Sequence, residues 1–161
     1  MVTTLIVNAS PLIGLGKGGL LWLLESGSFE VHIPRPVAEE ILVHGADTAS
    51  GWLRLGGHSR VVDAVPVDPL LLAWDLGPGE TSVVAHACLN RSGVVVLDDL
   101  AARRCAHALG LRCTGTLGFL LMAKKRGLIS TVMPSVGKLR EAGIYIGDAL
   151  VQSVRVAAGE A

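Results

Sequence analysis

A chain of 161 residues with no formal net charge, half of it hydrophobic and only 17% charged, carries enough apolar surface for one buried core and reads as a single domain over residues 1–161. The charge balance excludes holding nucleic acid through an overall field, so any such binding has to come from local basic patches. Three cysteines, Cys88, Cys105 and Cys113, are odd in number and form no CxxC pair. With no leader segment and no apolar run near the roughly 20 residues of a membrane span, they are read as reduced thiols in a cytoplasmic protein.

Along the chain, strand and helix signals alternate. Residues 4–8 (TLIVN) read as a first strand, and Ser10-Pro11 as the start of a helix, with Ser10 as its cap and Pro11 in its first position. A second helix is expected through GLLWLLES, a short strand over FEVHIP, and a helix over RPVAEEILVH opened by Pro36. Residues 45–58 are Gly-rich, with one helical turn at ASGWLRL, and RVVDAVPV is strand-like. GPGETSVVAHACLN is a helix with Gly and Pro at its start. Residues 94–97 (VVVL) form an unbroken apolar run that reads as a strand buried on both faces. Asp98 and Asp99 follow it, then a helix over 100–109 that stops at Gly110, a short strand at RCTG and a helix over TLGFLLMAKKRG. MPSVGKLREAG and IGDALVQSVRVAAG are two terminal helices. Strands separated by helices imply a parallel sheet with helices on both faces, and no internal repeat or low-complexity linker interrupts it.

The chemistry concentrates where strands end. In an open α/β sheet, ligands bind at the carboxyl ends of the strands. Asn8 ends the first strand, Glu40 lies in the helix after HIP, Glu80 in the first turn after LGPG, and Asp98 and Asp99 end the VVVL strand. All offer hard oxygen ligands of the kind that Mg²⁺ and Mn²⁺ take, and no His or Cys pair has zinc spacing. A metal beside such acids activates water and offsets the charge of a phosphodiester. Each residue also has an ordinary role. Asp99 can cap the helix at Leu100, which stabilises it by about 1 kcal/mol, although two adjacent acids exceed what one cap needs. Glu80 can complement a helix dipole. Glu39 and Glu40 lie about 100° apart on their helix, so only one of them faces any one site. Asn8 can be a simple turn former.

The segments IVNASPLIGL, VHIPRPVAEEIL, GPGETSVVAHA, VVVLDDLAARRCAHALGL and TGTLGFLLMAKKRGLI resemble a PIN domain, most closely a subgroup related to the VapC toxins and formerly grouped as a domain of unknown function. The likeness runs over nearly the whole chain, including the tail LREAGIYIGDALVQSVRVAAGE. It implies a three-layer α/β/α sandwich with a central parallel sheet and a Mg²⁺- or Mn²⁺-dependent ribonuclease site. By position, the first acid of the family falls on Asn8, the helix acid on Glu40, the third on Glu80 and the acid after the buried strand on Asp99 with Asp98 beside it. Ser10 takes a supporting small-hydroxyl position. The chain departs from the pattern at Asn8, where nuclease-active relatives mostly carry Asp, and at Thr114 and Thr116, where some relatives carry a further acid. An amide oxygen still ligates but brings no charge, so weak Mg²⁺ binding, better Mn²⁺ binding and slow cleavage are expected.

Other motifs carry less. GLGKGG matches GxGxxG at Gly14, Gly16 and Gly19, but Ser10-Pro11-Leu12-Ile13 intervene between it and the strand and no acid ends the next strand. It is not a phosphate-binding P-loop, because Gly18 follows Lys17 where Ser or Thr is required. The five His residues are scattered, without a nucleophile partner at readable spacing. Arg103, Arg104 and Lys124 are candidates for RNA phosphate contacts, with a solvated helix face as the alternative for the lysine. Aromatic content of 4% leaves a poor supply of stacking platforms. The expected protein is thus a metal-dependent endoribonuclease, the toxin of a toxin–antitoxin pair. Glu40, Glu80 and Asp99 are expected to converge on the metal, and Asn8 to complete its shell. A homodimer that also binds a small antitoxin chain is expected through apolar Leu139, Ile144, Ile146 and Leu150. The alternatives are a catalytically weakened PIN-fold protein that binds RNA or antitoxin, and a nucleotide-binding α/β protein without nuclease activity.

Overall fold

The computed structural model describes residues 1–45 and 47–161. Its centre is a five-stranded parallel sheet, ordered β3-β2-β1-β4-β5, from β1 (Thr3–Val7), β2 (Phe29–Pro34), β3 (Val61–Val62), β4 (Val94–Val96) and β5 (Arg112–Thr114). Leu5, Ile6, Val7, Val95 and Leu97 are fully buried, as central parallel strands covered on both faces must be. Among the described residues, ten α-helices cover the sheet: α1 (Ala9–Lys17), α2 (Trp22–Glu25), α3 (Arg35–His44), α4 (Thr48–Leu55), α5 (Pro69–Leu72), α6 (Pro78–Leu89), α7 (Leu100–Ala108), α8 (Thr116–Lys125), α9 (Met133–Glu141) and α10 (Asp148–Ala157). The result is the three-layer α/β/α architecture expected of a PIN-like chain. No helix among the described residues is long and apolar enough to cross a membrane.

The order of pairing fixes where a ligand can sit. From β1 the chain first builds outward to β2 and β3, then returns to pair β4 on the other side of β1 and β5 beyond it. The strand order therefore reverses between β1 and β4 while every pairing stays parallel, which makes the carboxyl ends of those two strands the place for a ligand. Asn8 and the segment that follows Val96 border that switch point.

Several elements differ from the sequence reading for identifiable reasons. The strand expected over 60–67 shrinks to Val61–Val62, because its partner β2 ends at Pro34 and turns into α3, leaving nothing further to pair. The single turn expected within 45–58 is a full helix, α4, started by Asp47, whose Oδ1 accepts from Ser50 N at 2.9 Å; residue 46 of that stretch lies outside the described residues. The helix expected through 19–26 is cut to Trp22–Glu25, since Gly19 adopts a left-handed φ of 69°. α5, which the sequence did not signal, is capped by Asp68 on Leu70 N. α1 begins at Ala9, so the residue before it is Asn8 rather than Ser10.

The C-terminal helices pack more tightly than expected. Leu139 and Ile146, expected to be exposed, are 1% and 6% exposed. Gly18 makes room for Leu139, because a methyl group there would come within 2.9 Å of its Cδ2. Of the four apolar residues proposed as an interface, Ile144 is half-buried and only Leu150 is well exposed. The tail is held by one polar knot. Glu160 accepts from Val132 N at 2.7 Å and Met133 N at 3.0 Å, and Lys124 Nζ donates to Glu160 Oε1 at 2.8 Å and to Ala158 O at 2.6 Å. The Lys124 hydrogen bond, aided by the two backbone donors, pulls the Glu160 carboxyl down to about 2. A depressed carboxyl contributes stability above its ordinary value of 4.5 and loses it as pH falls toward 2. Glu160→Gln should therefore lower Tm at neutral pH, and its deficit against the natural chain should close between pH 4.5 and 2. Scanning calorimetry of both proteins across that range checks this, and equal Tm at neutral pH would contradict it.

Candidate active site

Asn8 is the residue around which the site is organised. Its backbone N–H donates to Val96 O at 3.1 Å, the last rung between β1 and β4, and its side chain sits at the switch point with the residue 2% exposed. It precedes α1 in an extended conformation yet makes no side-chain cap there. Instead its Nδ2 donates to Glu80 Oε1 at 3.4 Å. Its Oδ1 is buried and, among the described residues, has no hydrogen-bond partner.

Glu80 lies in the first turn of α6, where the helix dipole favours an acid. Gly79, one residue before it, brings the α6 backbone close to Asn8. A methyl group on Gly79 would lie 2.5 Å from Glu40 Oε2 and 3.1 Å from Asn8 Oδ1. One on Gly77 would lie 2.5 Å from Glu80 Oε2. Glycines thus floor the site on the α6 side, and Glu40 reaches it from α3. Glu39, the neighbouring acid, acts instead on Arg35, whose guanidinium is held charged chiefly by the Asp63 hydrogen bond. Two oxygens, Asn8 Oδ1 and Glu40 Oε2, flank Gly79 with no donor for the amide oxygen. A buried acceptor without a donor costs about 1–3 kcal/mol, and a cation resolves it. The donor set, an amide oxygen and two carboxylates, is of the hard kind suited to Mg²⁺ or Mn²⁺.

The pair after β4 behaves differently. Asp99 Oδ2 accepts from Ala102 N at 2.9 Å and so caps α7. Asp98 reaches across to β5–α8, where its Oδ1 accepts from Thr116 N at 2.8 Å and its Oδ2 from Thr116 Oγ1 at 2.6 Å. Two adjacent acids exceed the need of one helix because they start two. Among the described residues no three His, Cys, Asp or Glu side chains gather as a metal cluster. The groups brought together with Asn8 are Glu40 and Glu80, while one oxygen of Asp99 and both of Asp98 serve helix starts.

The supporting and basic positions also separate. Ser10 is exposed beside the same edge. Arg103 lies close to Asp98 across Gly115, and Arg104 is exposed on α7. Lys124 is not available for phosphate, because its ammonium is engaged by Glu160 and Ala158.

One cluster escaped the sequence. His32 Nδ1 and His86 Nε2 lie 3.1 Å apart, and His32 Nε2 lies 2.9 Å from Glu30 Oε1. They are 54 residues apart, so no local spacing reveals them. Glu30 Oε1 accepts a hydrogen bond from His32 Nε2–H, which leaves His32 Nδ1 to accept from His86 Nε2–H. His86 Nδ1 is then a bare, buried nitrogen without a partner among the described residues. Burial, with the neighbouring His32, pushes His86 below the usual histidine range.

With this geometry in place, a family model for the PIN domain matches residues 4–160 of the chain. No curated protein matches it.

Two outcomes follow. Gly79→Ala should weaken Mn²⁺ binding about tenfold, by displacing the Glu40 carboxylate from the amide oxygen, while leaving Tm unchanged or raised, since Ala is favoured over Gly within a helix; unchanged affinity by calorimetric titration would contradict the site. His86 binds its proton later in the folded state than in the unfolded chain, so stability should fall as pH drops through 6.5. His86→Leu should flatten the Tm profile between about pH 8 and 5, and a slope equal to that of the natural chain would refute this origin.

Proposed function

The chain belongs to the PIN domain family, and on that premise we propose that it is a divalent-metal-dependent endoribonuclease acting as the toxin of a toxin–antitoxin pair. The fold is of nuclease type and such domains generally depend on divalent metals. One observation carries the reading. A buried amide oxygen without a donor faces a carboxylate oxygen across a glycine, at the point where the sheet order reverses.

Asn8, Glu40 and Glu80 would hold Mg²⁺ or Mn²⁺, with Asp99 as a third acid through the oxygen its helix cap leaves free, and with Asp98 and Ser10 in support. When bound, the ion supplies charge neutralisation at the phosphodiester and an activated water. The residues of the chain do the positioning. Glu80 fixes the sense of the Asn8 amide by accepting from Nδ2, which turns Oδ1 toward Glu40. Gly79 admits the close approach, and Arg103 and Arg104 offer cations to neighbouring phosphates. Single-stranded RNA is the proposed substrate. A small antitoxin and a second copy are the proposed partners, supported by the VapC-like segments and by Val43, Leu55, Leu70 and Trp74, all exposed on or between α3 and α6. Three free cysteines suit a cytoplasmic location.

A second reading is favoured by the same residue. Asn8 gives the site two close carboxylates instead of three, which weakens its pull on a hard cation and suits a protein that binds RNA or antitoxin with little turnover.

Cleavage of single-stranded RNA with and without Mn²⁺ separates the two. The ribonuclease reading expects slow Mn²⁺-dependent cleavage, lost by at least about a hundredfold in Glu40→Gln. Asn8→Asp should raise cleavage and tighten Mn²⁺ binding about tenfold. It should also lower metal-free stability by about 1 kcal/mol, because a hydrogen bond to Glu80 becomes a repulsion. RNA binding without any cleavage in either protein would favour the second reading.

A further inference from the structure

We propose that the cavity in front of β4 and β5 holds one splayed-out nucleotide of single-stranded RNA, with its base against Tyr145 and its phosphate between Lys17 and Arg103. This rests on the ribonuclease reading and names how the same site grips its substrate.

The cavity has a volume of about 600 Å³, within the roughly 300–1,000 Å³ typical of pockets for small ligands. Its floor is apolar, from Ile13, Leu139, Ile144 and Ile146, and its polar wall comes from the residues after β4 and β5. Ser10, two residues past Asn8, and Asp98, beside Asp99, line it as well, so the cavity lies next to the Asn8 site along the carboxyl edge of the sheet, with Asn8, Glu40 and Glu80 outside its lining. Tyr145 stands at its edge in the turn between α9 and α10. It is the sole tyrosine of the chain and is 93% exposed. A ring so fully in water contributes almost nothing to the core, whereas every nucleobase offers it a face.

The charges agree with a phosphate. Lys17 and Arg103 both line the cavity, and among the described residues neither is ion-paired. Asp98, the acid in the wall, has both oxygens occupied by Thr116. Those hydrogen bonds hold the carboxylate in place without cancelling its charge, and two cations against one anion leave the wall net positive. A duplex keeps its bases stacked inside, so the combination of an aromatic face, an apolar floor and two cations selects a single strand.

The test is fluorescence anisotropy of a labelled single-stranded RNA oligomer in EDTA, which measures binding without cleavage. Tyr145→Ala should weaken binding about tenfold and Tyr145→Phe by less than about twofold, since stacking needs the ring and not the hydroxyl. Arg103→Gln should reduce the salt dependence by about one phosphate contact. Tm should be unchanged in Tyr145→Ala. The inference is overturned if Tyr145→Ala binds like the natural chain, if a duplex binds as tightly, or if no RNA is bound. RNA binding indifferent to Tyr145 would leave the cavity to an apolar segment of a partner protein instead. The two proposals fail separately. Tyr145-dependent binding with no Mn²⁺-dependent cleavage sinks the ribonuclease reading alone, and cleavage with kcat/KM untouched by Tyr145→Ala sinks this one alone.

Discussion

The hydrogen bond from Asn8 N to Val96 O, 3.1 Å long, is the contact from which the arrangement at the carboxyl edge follows. It is the last rung of the β1–β4 ladder, and the sheet order reverses at that ladder. Strands on either side lead their helices away in opposite directions, which makes this rung the switch point of the sheet, and the α6 backbone at Gly79 closes over the Asn8 side chain, which is 2% exposed. The residue at the rung is placed by the backbone of two strands whose ends there, Val7 and Val96, are buried. Its side chain needs no loop to aim it. α3 and α6 then deliver Glu40 and Glu80 from one side, and Gly79 sets how closely they come.

Asn8 divides its amide between two tasks. The NH₂ end goes to Glu80, which an aspartate could not satisfy without metal, and the oxygen end is left with an acceptor opposite it. An unmet buried acceptor costs about 1–3 kcal/mol, a sizeable fraction of the stability of a domain this small. The neighbouring acids carry no such cost. Asp98 and Asp99 are both met by backbone N–H groups at helix starts, which is where a carboxylate stabilises a fold. The strain of the edge is concentrated in one amide, and that concentration separates a binding site from a set of caps.

The sequence made the layers legible because periodicity reports burial. VVVL could be read as a central strand since both faces of it are covered, and α6 and α8 followed from their Pro and Gly starts. It did not settle elements whose extent depends on a partner. β3 is limited by where β2 stops, and α4 depends on one cap at Asp47. The site was legible as a set of positions after strands, and the structure divides that set by partner. Asn8, Glu40 and Glu80 meet, whereas the role of Asp98 is decided by Thr116, 18 residues away. Lys124 looked like a free surface cation until Glu160 was placed beside it, 36 residues on. The His32–His86 contact and the burial of Leu139 are of the same kind, long-range pairings that leave no local trace.

The central claim is that the Asn8 amide oxygen is a cation ligand. Anomalous diffraction from a crystal of the natural protein soaked in Mn²⁺ tests it most directly. The account predicts a manganese peak within about 2.3 Å of Asn8 Oδ1 and of a Glu40 oxygen, with Glu80 holding the other end of the amide or joining the shell. A crystal that takes up manganese elsewhere, with a water donating to Asn8 Oδ1 in its place, would contradict it.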